Sequence, residues 1–423
     1  MKRSYAPIIV TAIIVILAGS LIGILLYLRG QTPDTRGVAP IVEISPMEPD
    51  SSKWGINFPN QYATLLKTET NNTRTTYGGS EPFSHLENDP RLLTLFAGYS
   101  FSKEYNDDRG HWNSLTDVRA IARVNETTTG TCYSCKSSNN PSLWEQMGMA
   151  EFDKQPFTEI GAHLTNPIGC ANRHEANTMR LIVTNPALEE ALIAQGLDWT
   201  TFTRQEMRSV VCANCHVEYY FEGPGKYLVL PWANGRNIEQ IAAYYEAEQF
   251  TDWTHPDSGA AMVKMQHPDF EIYAANSTHY NAGVACADCH MPYTRDGAAK
   301  FSSHDVKSPL LNAEAACGAC HTDVGYVTTR VSIIQNQVNE VLLATEDAII
   351  EAIDAIKAAA DAGASDEQLA EARGLHRAAQ LRWDFVAASN GMGFHNPEEV
   401  LRILANATDL ARQAQVLATQ LMP

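Results

Sequence analysis

Four Cys-x-x-Cys pairs, each followed at once by a residue that can bind a metal, constrain the fold of this chain more than any other feature. Three of the pairs are followed by histidine and one by lysine. Zinc knuckles or disulfides are the alternative use of paired cysteines. A ligating residue directly after every second cysteine favours covalent haem attachment, in which two thioether bonds hold the group and the next residue binds the iron. The motifs are Cys132, Cys135 and Lys136; Cys212, Cys215 and His216; Cys286, Cys289 and His290; and Cys317, Cys320 and His321.

Lys136 distinguishes one of these haems from the other three. A lysine amine is protonated in water and binds iron only after it loses that proton, but burial and the charge of ferric iron would lower its pKa enough. The alternative is that this haem has lost its protein ligand or takes another residue. The position directly after Cys135 favours ligation by Lys136. An open distal face on that haem would then be the substrate site.

The bulk composition limits the core and the partners of the chain. Only 44% of its 423 residues are AVILMFWYC, so covalent haems, which are large apolar plates, would supply part of the core. We therefore expect a mainly α multihaem cytochrome c fold organised by stacked haems. The net charge of −18 argues against nucleic-acid binding. An anionic substrate would need a local cationic site, although ordinary acidic solubility explains the same charge.

The N-terminus predicts a location outside the cytoplasm, where covalent haem attachment takes place. Lys2 and Arg3 precede an uncharged apolar stretch, residues 6–28, that is long enough to span a bilayer. A cleaved signal is the alternative, but its apolar region is usually shorter, roughly 7–15 residues. We expect residues 1–28 to include an anchor that holds the protein on the periplasmic side of the cytoplasmic membrane. Residues 29–58, rich in Pro, Ser, Thr and Asp, would form a tether.

The rest of the chain divides by composition into residues 59–326 and residues 327–423. The first part carries the cysteine pairs among Gly, Pro and Asn residues, and would be the multihaem catalytic region. The second part has apolar residues at helical spacing from Val331 to Ala360. Ser365 and Asn396 then stand at the starts of two further helices. Long amphipathic helices bury their apolar stripe in the same chain or in a partner, so we expect a homodimer contact here.

Several short segments together resemble the pentahaem cytochrome c nitrite reductases, the ammonia-forming family of the NrfA type. The resemblance extends from about Arg109 to Pro397. It rests on Cys-x-x-Cys-Lys first, then on Cys-His-Val-Glu-Tyr-Tyr-Phe at 215–221, Gln-His-Pro at 266–268, Cys-His-Met-Pro at 289–292 and His-Asn-Pro-Glu-Glu at 395–399. It implies a periplasmic enzyme that reduces nitrite to ammonium with six electrons and eight protons at the Lys136 haem. The other haems, each held by two histidines, would supply the electrons.

The resemblance also implies which residues face nitrite across the Lys136 haem. Arg123 and His267 would hold the nitrite oxygens and the charge that develops on them. Arg119, one helical turn away, is the second choice for the arginine. Tyr219 would assist proton or radical steps.

A calcium site beside these residues is implied by the same resemblance. Its ligands would be the Glu218 carboxylate, the Tyr219 carbonyl, the Lys264 carbonyl and the Gln266 side chain. Oxygen-only ligation suits a hard cation, and the ion would fix Tyr219 and His267 next to the haem. A simple hydrogen-bonded pair of Glu218 and Gln266 is the alternative.

Distal histidines and a fifth haem complete the expected set. By resemblance, His111 would pair with His216, His279 with His321, His395 with His290, and His304 with His174. The fifth haem would belong to the segment Cys170-Ala171-Asn172-Arg173-His174, where the second cysteine of the motif is replaced by Arg173. Three interpretations compete: a haem held by one thioether, no haem, or an error in the sequence. We favour a retained haem, because His174 and His304 would otherwise be unexplained.

Two other kinds of function compete with nitrite reduction. A non-catalytic electron-transfer cytochrome would have every haem bound on both faces. A sulfite- or tetrathionate-reducing relative would also use a lysine-ligated haem. In each case, a membrane-associated or soluble cytochrome or quinol would be the electron donor.

Overall fold

The computed structural model describes Leu17, residues 19–21, residues 40–107 and residues 109–422. The chain divides into residues 1–43 and residues 44–423. Apart from Leu17 and residues 19–21, the predicted anchor at residues 6–28 lies outside the described residues. Within the described ranges, no helix has both the length and the apolar character that a membrane span requires.

Short helices joined by turns make up the region that carries the cysteine motifs, as the Gly, Pro and Asn content predicts. Each is too short to be stable alone, so packing must hold it in place. The helices are α1 Ser51–Asn57, α2 Pro59–Leu65, α3 Lys67–Thr70, α4 His85–Asn88, α5 Leu92–Leu95, α6 Ser114–Ala120, α7 Asn140–Met147, α8 Met149–Lys154, α9 Phe157–Gly161, α10 Pro186–Ala194, α11 Arg204–Val210, α12 Ile238–Ala247, α13 Asp269–Ala274, α14 Thr278–Asn281, α15 Cys286–His290 and α16 Ala313–Ala316. Turns of 3-10 helix cover Ser100–Ser102, His111–Asn113, Gly130–Tyr133, Cys170–Asn172, Trp199–Thr201 and Pro309–Asn312.

The sheet content is small, as expected, and consists in the described ranges of four two-stranded antiparallel hairpins. The longest register pairs Tyr293 with Ser302 and Asp296 with Ala299. The strands are β1 Arg74–Thr75, β2 Gly78–Gly79, β3 Tyr220–Glu222, β4 Tyr227–Val229, β5 Trp253–Thr254, β6 Ala261–Met262, β7 Tyr293–Asp296 and β8 Ala299–Ser302.

Three long helices end the chain and confirm the helical prediction for this region. They are α17 Val324–Asp361, α18 Asp366–Ala387 and α19 Pro397–Gln420. The predicted start signals are in place: Ser365 and Gln368 form a capping box, and Asn396 caps the start of α19. A buried alanine stripe on α19 lets the helices pack closely; it consists of Ala407, Ala411, Ala414 and Ala418.

Residues 44–58, which composition assigns to a tether, are folded from Ile44 onward. Helix α1 lies in this stretch, and Trp54 is buried with its indole N–H donating to the Glu48 carbonyl at 2.8 Å. Ile44 and Trp54 pack against Ala171, which is inside the Cys170 segment. This part of the chain therefore forms one wall around Cys170.

Candidate active site and haem-binding motifs

The Cys-x-x-Cys motifs form tight turns that leave their cysteines available. None of the nine cysteines forms a disulfide, and in the described part of the chain no group of three or more His, Cys, Asp and Glu side chains is arranged to hold a metal ion. The backbone N–H of His216 donates to the Cys212 carbonyl at 2.9 Å, and that of His321 donates to the Cys317 carbonyl at 2.9 Å. In the Lys136 motif the ligand's backbone N–H donates instead to the Tyr133 carbonyl, also at 2.9 Å.

The four motifs lie next to one another in space in the order in which they occur in the chain. Haems attached to them would therefore form a continuous series that ends at Lys136. The contacts that link the motifs are the hydrogen bonds of Cys135 with Cys215 and of Cys212 with Cys286, and the electrostatic interaction of Cys289 with Cys317 and Cys320.

Three of the four predicted histidine pairs face each other at the separation that a shared iron requires. A metal held on both sides by imidazole nitrogens at about 2 Å places the ring centres roughly 6 Å apart. The ring centres are 6.3 Å apart for His174 and His304, 6.2 Å for His290 and His395, and 6.3 Å for His279 and His321. The residues of these three sites therefore fit a haem, including the site with only Cys170.

The electrostatics of these pairs suit iron ligation, because a neutral imidazole keeps a lone pair for the metal. Burial lowers the pKa of His174, His290 and His304 to about 4. Burial also lowers the pKa of His279 and His395. All five rings are therefore neutral near pH 7.

His216 is held differently, by a carboxylate that the sequence did not indicate. Its Nδ1 lies 2.9 Å from Asp269 Oδ2, and the same carboxylate accepts hydrogen bonds from Asn390. Burial acts to lower the pKa of His216, but the bond to Asp269 raises it to about 9. A carboxylate partner on one ring nitrogen is the usual way to orient the other nitrogen towards a metal. Asp269 stands two residues after His267, which is the only signal that could have pointed to it.

Ring distances do not assign the distal partner of His216. Its ring centre lies 6.3 Å from that of His267, the same separation as in the three pairs above. The predicted partner, His111, has its Nε2 3.2 Å from Nη2 of Arg173. The charge of Arg173 in turn acts on Cys212, so His111 lies close to this motif through Arg173.

Arg123 is the arginine that acts on the first thiol of the Lys136 motif, Cys132, whereas Arg119 interacts with the Tyr133 hydroxyl of the same motif. The guanidinium of Arg123 lies 3.8 Å from the ring centre of Phe101 and interacts electrostatically with Tyr219 and Cys132. Burial lowers the pKa of Arg123, which remains a cation at any physiological pH. Arg119 is exposed and donates two hydrogen bonds of 2.7 Å to the Gly161 and Leu164 carbonyls at the end of α9. Arg119 thus has a structural role.

Tyr219 lies close to Arg123 and to the cysteines of the Lys136 motif. Its hydroxyl interacts electrostatically with Cys135, Cys132 and Arg123. Burial is the main cause of a pKa well above the ordinary value, so the phenol keeps its proton and can donate it in a hydrogen bond. The ring of Phe221 stacks beside it with the ring centres 5.7 Å apart.

Glu218 joins the Tyr219 segment to the His267 segment. Its buried carboxylate accepts hydrogen bonds from the Gln266 backbone N–H at 2.6 Å and from the Tyr245 hydroxyl at 2.8 Å. The side-chain amide of Gln266 lies 3.2 Å from the Lys264 carbonyl. Three of the four predicted calcium ligands are therefore brought together, and the Glu218–Gln266 contact runs through the backbone N–H, not the Gln266 side chain.

Two further polar residues support the Lys136 motif and were not expected. The Ser114 hydroxyl donates to the Lys136 carbonyl at 2.7 Å and accepts from the Ile168 N–H at 3.3 Å. The buried Asp153 accepts from the Ser134 hydroxyl at 3.3 Å and from the Leu228 N–H at 2.9 Å. Neither residue lies within a recognisable motif, so no sequence pattern points to them.

Comparison with known proteins agrees with this geometry. The family model described as cytochrome c552 matches residues 50–423. Cytochrome c-552 of Parabacteroides distasonis is 41% identical over 389 residues, which cover 90% of this chain and 78% of that protein. The cytochrome c nitrite reductase subunit NrfA of Nitratidesulfovibrio vulgaris is 36% identical over 407 residues, which cover 86% of this chain and 77% of that protein.

A solved structure gives the same result for the fold. The catalytic subunit NrfA of the Desulfovibrio desulfuricans cytochrome c nitrite reductase superposes with a TM-score of 0.83 at 35% identity, covering 90% of this chain and 88% of that one. That structure is described as containing two calcium sites. The match extends across both the motif region and the long helices. The chain therefore belongs to the cytochrome c552 family of ammonia-forming, NrfA-type nitrite reductases, which are periplasmic multihaem enzymes.

Proposed function

We propose that nitrite is reduced at the haem held by Cys132, Cys135 and Lys136, on the face towards Arg123 and Tyr219. The observation that carries this proposal is the half-buried Arg123 next to Cys132, in a chain whose net charge is −18. A fixed cation in a partly dehydrated crevice attracts an anion far more strongly than an exposed one. When bound, the haem supplies an iron atom that takes the nitrite nitrogen and passes electrons to it.

The protein groups would divide the remaining work by their chemistry. Arg123 would orient the nitrite oxygens and stabilise negative charge on them as the nitrogen–oxygen bonds break. Tyr219, protonated, would donate a hydrogen bond at the departing oxygen. His267 would donate a proton there, since the complete reduction consumes eight protons and releases two waters with the ammonium. The haem motifs that follow in space would bring the six electrons.

Calcium at Glu218 would stabilise this arrangement. Burial raises the pKa of both Glu218 and Glu271, to about 8 in Glu271, and the charge of Glu271 raises the pKa of Glu218 further by repulsion. Glu271 Oε2 is buried without a hydrogen-bond partner in the described part of the chain. A divalent cation held by the Glu218 carboxylate with the Tyr219 and Lys264 carbonyls and the Gln266 side chain would relieve this repulsion.

Turnover by the haem-loaded protein tests the assignment. With a chemically reduced dye as electron source, we expect nitrite to disappear and ammonium to form in equal amounts. A high-spin ferric signal should also change when nitrite or cyanide is added. A fully haem-loaded sample that forms no ammonium contradicts the proposal, and an all-low-spin spectrum favours an electron-transfer cytochrome. Parallel turnover on sulfite distinguishes the sulfite-reducing alternative.

We also propose that the protein is a homodimer that uses α17 and α19. Three large apolar side chains on these helices are exposed: Tyr326, Ile333 and Val416. Light scattering of the holoprotein should give twice the monomer mass, and the double substitution I333E and V416E should give monomers. Ile193→Glu, at an exposed apolar site on α10, is the matched control and should leave the dimer intact.

The attachment to the membrane and the electron donor complete the proposal. Residues 6–28 would anchor the protein on the periplasmic face, where a membrane-associated or soluble cytochrome or quinol would reduce it. The intact mass of the mature protein tests the anchor, because cleavage would remove these residues. Loss of the protein from washed membranes without cleavage would also contradict it.

A further inference from the structure

The Cys170 segment keeps the shape of a haem-attachment turn although its second cysteine is Arg173. The His174 N–H donates to the Cys170 carbonyl at 3.0 Å, as His216 and His321 do to the first cysteines of their complete motifs. His174 faces His304 at 6.3 Å. Apolar side chains line the pocket around Cys170 and this histidine pair, as the edge of a porphyrin requires: Trp54, Phe58, Tyr62, Leu65 and Met179.

Arg173 does not turn into solvent but lies between this pocket and the neighbouring motif. Its Nη2 is 3.2 Å from His111 Nε2. Burial lowers the pKa of His174 and of His304, and the charge of Arg173 adds to that effect in both. The same charge acts on Cys212 and Cys215 of the next motif. The charge of one guanidinium therefore acts on residues of two haem sites.

Hydrogen bonds fix the loop that carries Arg173 against both neighbouring motifs. The Asn172 side chain donates to the Ser137 carbonyl, just after Lys136, at 2.9 Å. The Asn172 carbonyl accepts from Thr184 at 2.8 Å and from Asn214, within the Cys212–Cys215 motif, at 3.5 Å. Arg173 consequently has little freedom to move away from the gap between the sites.

The contact with His111 also defines what the guanidinium can do. A guanidinium has no acceptor, so His111 Nε2 must present its lone pair to Arg173. That same lone pair would bind iron, and it cannot do both. Arg173 therefore holds His111 with Nε2 unprotonated. If iron bound at Nε2, the guanidinium would be available to another acceptor. In the described part of the chain Arg173 forms no ion pair with a carboxylate, so no described carboxylate offsets its charge.

We propose that Arg173 is a positioning and redox-tuning residue between the Cys170 haem and the His216 haem. Its bond to His111 would orient that ring, and its charge would favour the reduced state of both haems. The Cys170 haem is then attached through one bond. The Cys170 thiol adds across one vinyl group, so that a C–S and a C–H bond form while the S–H and the C=C π bonds break. No oxidant is consumed, and the second vinyl group remains. This inference extends the proposed function but does not depend on nitrite turnover.

Three substitutions at one position test the proposal on the haem-loaded protein. R173Q removes the charge, R173K keeps it, and R173C restores a complete motif. Potentiometric titration should show two low-spin haems shifted to more negative potentials in R173Q, and neither shifted in R173K. Arg180→Gln, an exposed arginine on the same segment, is the matched control and should shift none. Equal potentials in R173Q and in the unaltered protein would overturn the role of the charge.

Attachment is measured separately, by mass on the unaltered protein and by comparison with R173C. The intact mass of the unaltered protein should correspond to five haems, with one haem on the peptide that contains Cys170. In alkaline pyridine, its haem absorption band should lie at longer wavelength than that of R173C, because one vinyl group is retained. A mass corresponding to four haems, or no haem on that peptide, would overturn the proposal even if ammonium formation is normal.

Discussion

The Lys136 motif and the Cys170 motif each differ from Cys-x-x-Cys-His by one residue, but their surroundings are different. The Lys136 motif keeps both cysteines and changes the iron ligand. Arg123 and Tyr219 lie beside its thiols. The Cys170 motif keeps the histidine and changes the attachment. It is enclosed by apolar side chains and a second histidine.

This difference indicates that the iron ligand of a haem motif determines its chemistry, whereas the cysteines determine how the haem is held. A histidine on both faces would close the iron to substrate, so a haem at the Cys170 site would only pass electrons. A lysine ligand with polar groups on the other face would leave room for an anion. Substitutions should therefore separate the two sites, with chemistry lost at one and electron supply altered at the other.

The largest effect is expected from R123Q. Arg123 is the cation beside the thiols of the Lys136 motif. Its loss should reduce kcat for nitrite by about 10²–10³-fold, the usual effect of removing one donor at a developing oxyanion. Haem content and the low-spin spectrum should not change. R119Q is the matched control: Arg119 donates to the Gly161 and Leu164 carbonyls and interacts with the Tyr133 hydroxyl, which are structural contacts, so turnover per haem should stay near the unaltered value. Equal losses in the two variants would remove the distinction between these arginines.

His111 and His267 provide the next test, since both lie near the His216 motif. If His111 is the iron ligand, H111A converts one low-spin haem to high-spin, whereas H267A leaves every low-spin haem unchanged and reduces turnover. Electron paramagnetic resonance of the ferric protein measures both spin states. The reverse pattern would assign His267 to the His216 haem and remove it from the nitrite site.

Sequence patterns predicted the helices well, because helices depend on local spacing. The starts of α18 and α19 follow from Ser365 and Asn396, and three of the histidine pairs proposed from short motifs lie with their ring centres 6.2–6.3 Å apart. Asp269, Asp153 and Ser114 were not predicted, since each acts across the fold on a residue distant in sequence. The packing of Trp54 against Ala171 was not predicted for the same reason. A segment rich in Pro and Ser becomes ordered only when it packs against another part of the chain.

A pH dependence is expected at the loop of the Lys136 motif. Burial raises the pKa of Asp153 from 3.8 to about 7. Between these values the folded protein holds a proton that the unfolded chain has released, so the free energy of unfolding falls as pH rises through this window. D153N should remove that part of the dependence. The measurement is the thermal unfolding midpoint of the holoprotein at pH 5 and pH 8.

Asp361→Asn, at the exposed end of α17, is the control for Asp153. It should keep the fall in stability seen in the unaltered protein. If D153N and D361N give the same difference between the two pH values, the buried carboxyl does not titrate as expected. No corresponding carboxylate contact supports the Cys170 turn among the described residues, where Ser51 and Asn172 provide the bonds.

The smallest effect is expected from N172A, which tests whether the two unusual motifs depend on each other. Asn172 donates to the Ser137 carbonyl and accepts from the Gly169 N–H, each at 2.9 Å. Loss of two such bonds should lower the free energy of unfolding by about 1–2 kcal/mol. N177A, at an exposed site on the same segment that bonds only to Glu175, should change it by about 0.5 kcal/mol or less. If the Lys136 loop is held in place through Asn172, N172A should also broaden the high-spin signal of the substrate haem, while N177A should not. An unchanged signal with lowered stability would mean that the two motifs share a fold but not a function.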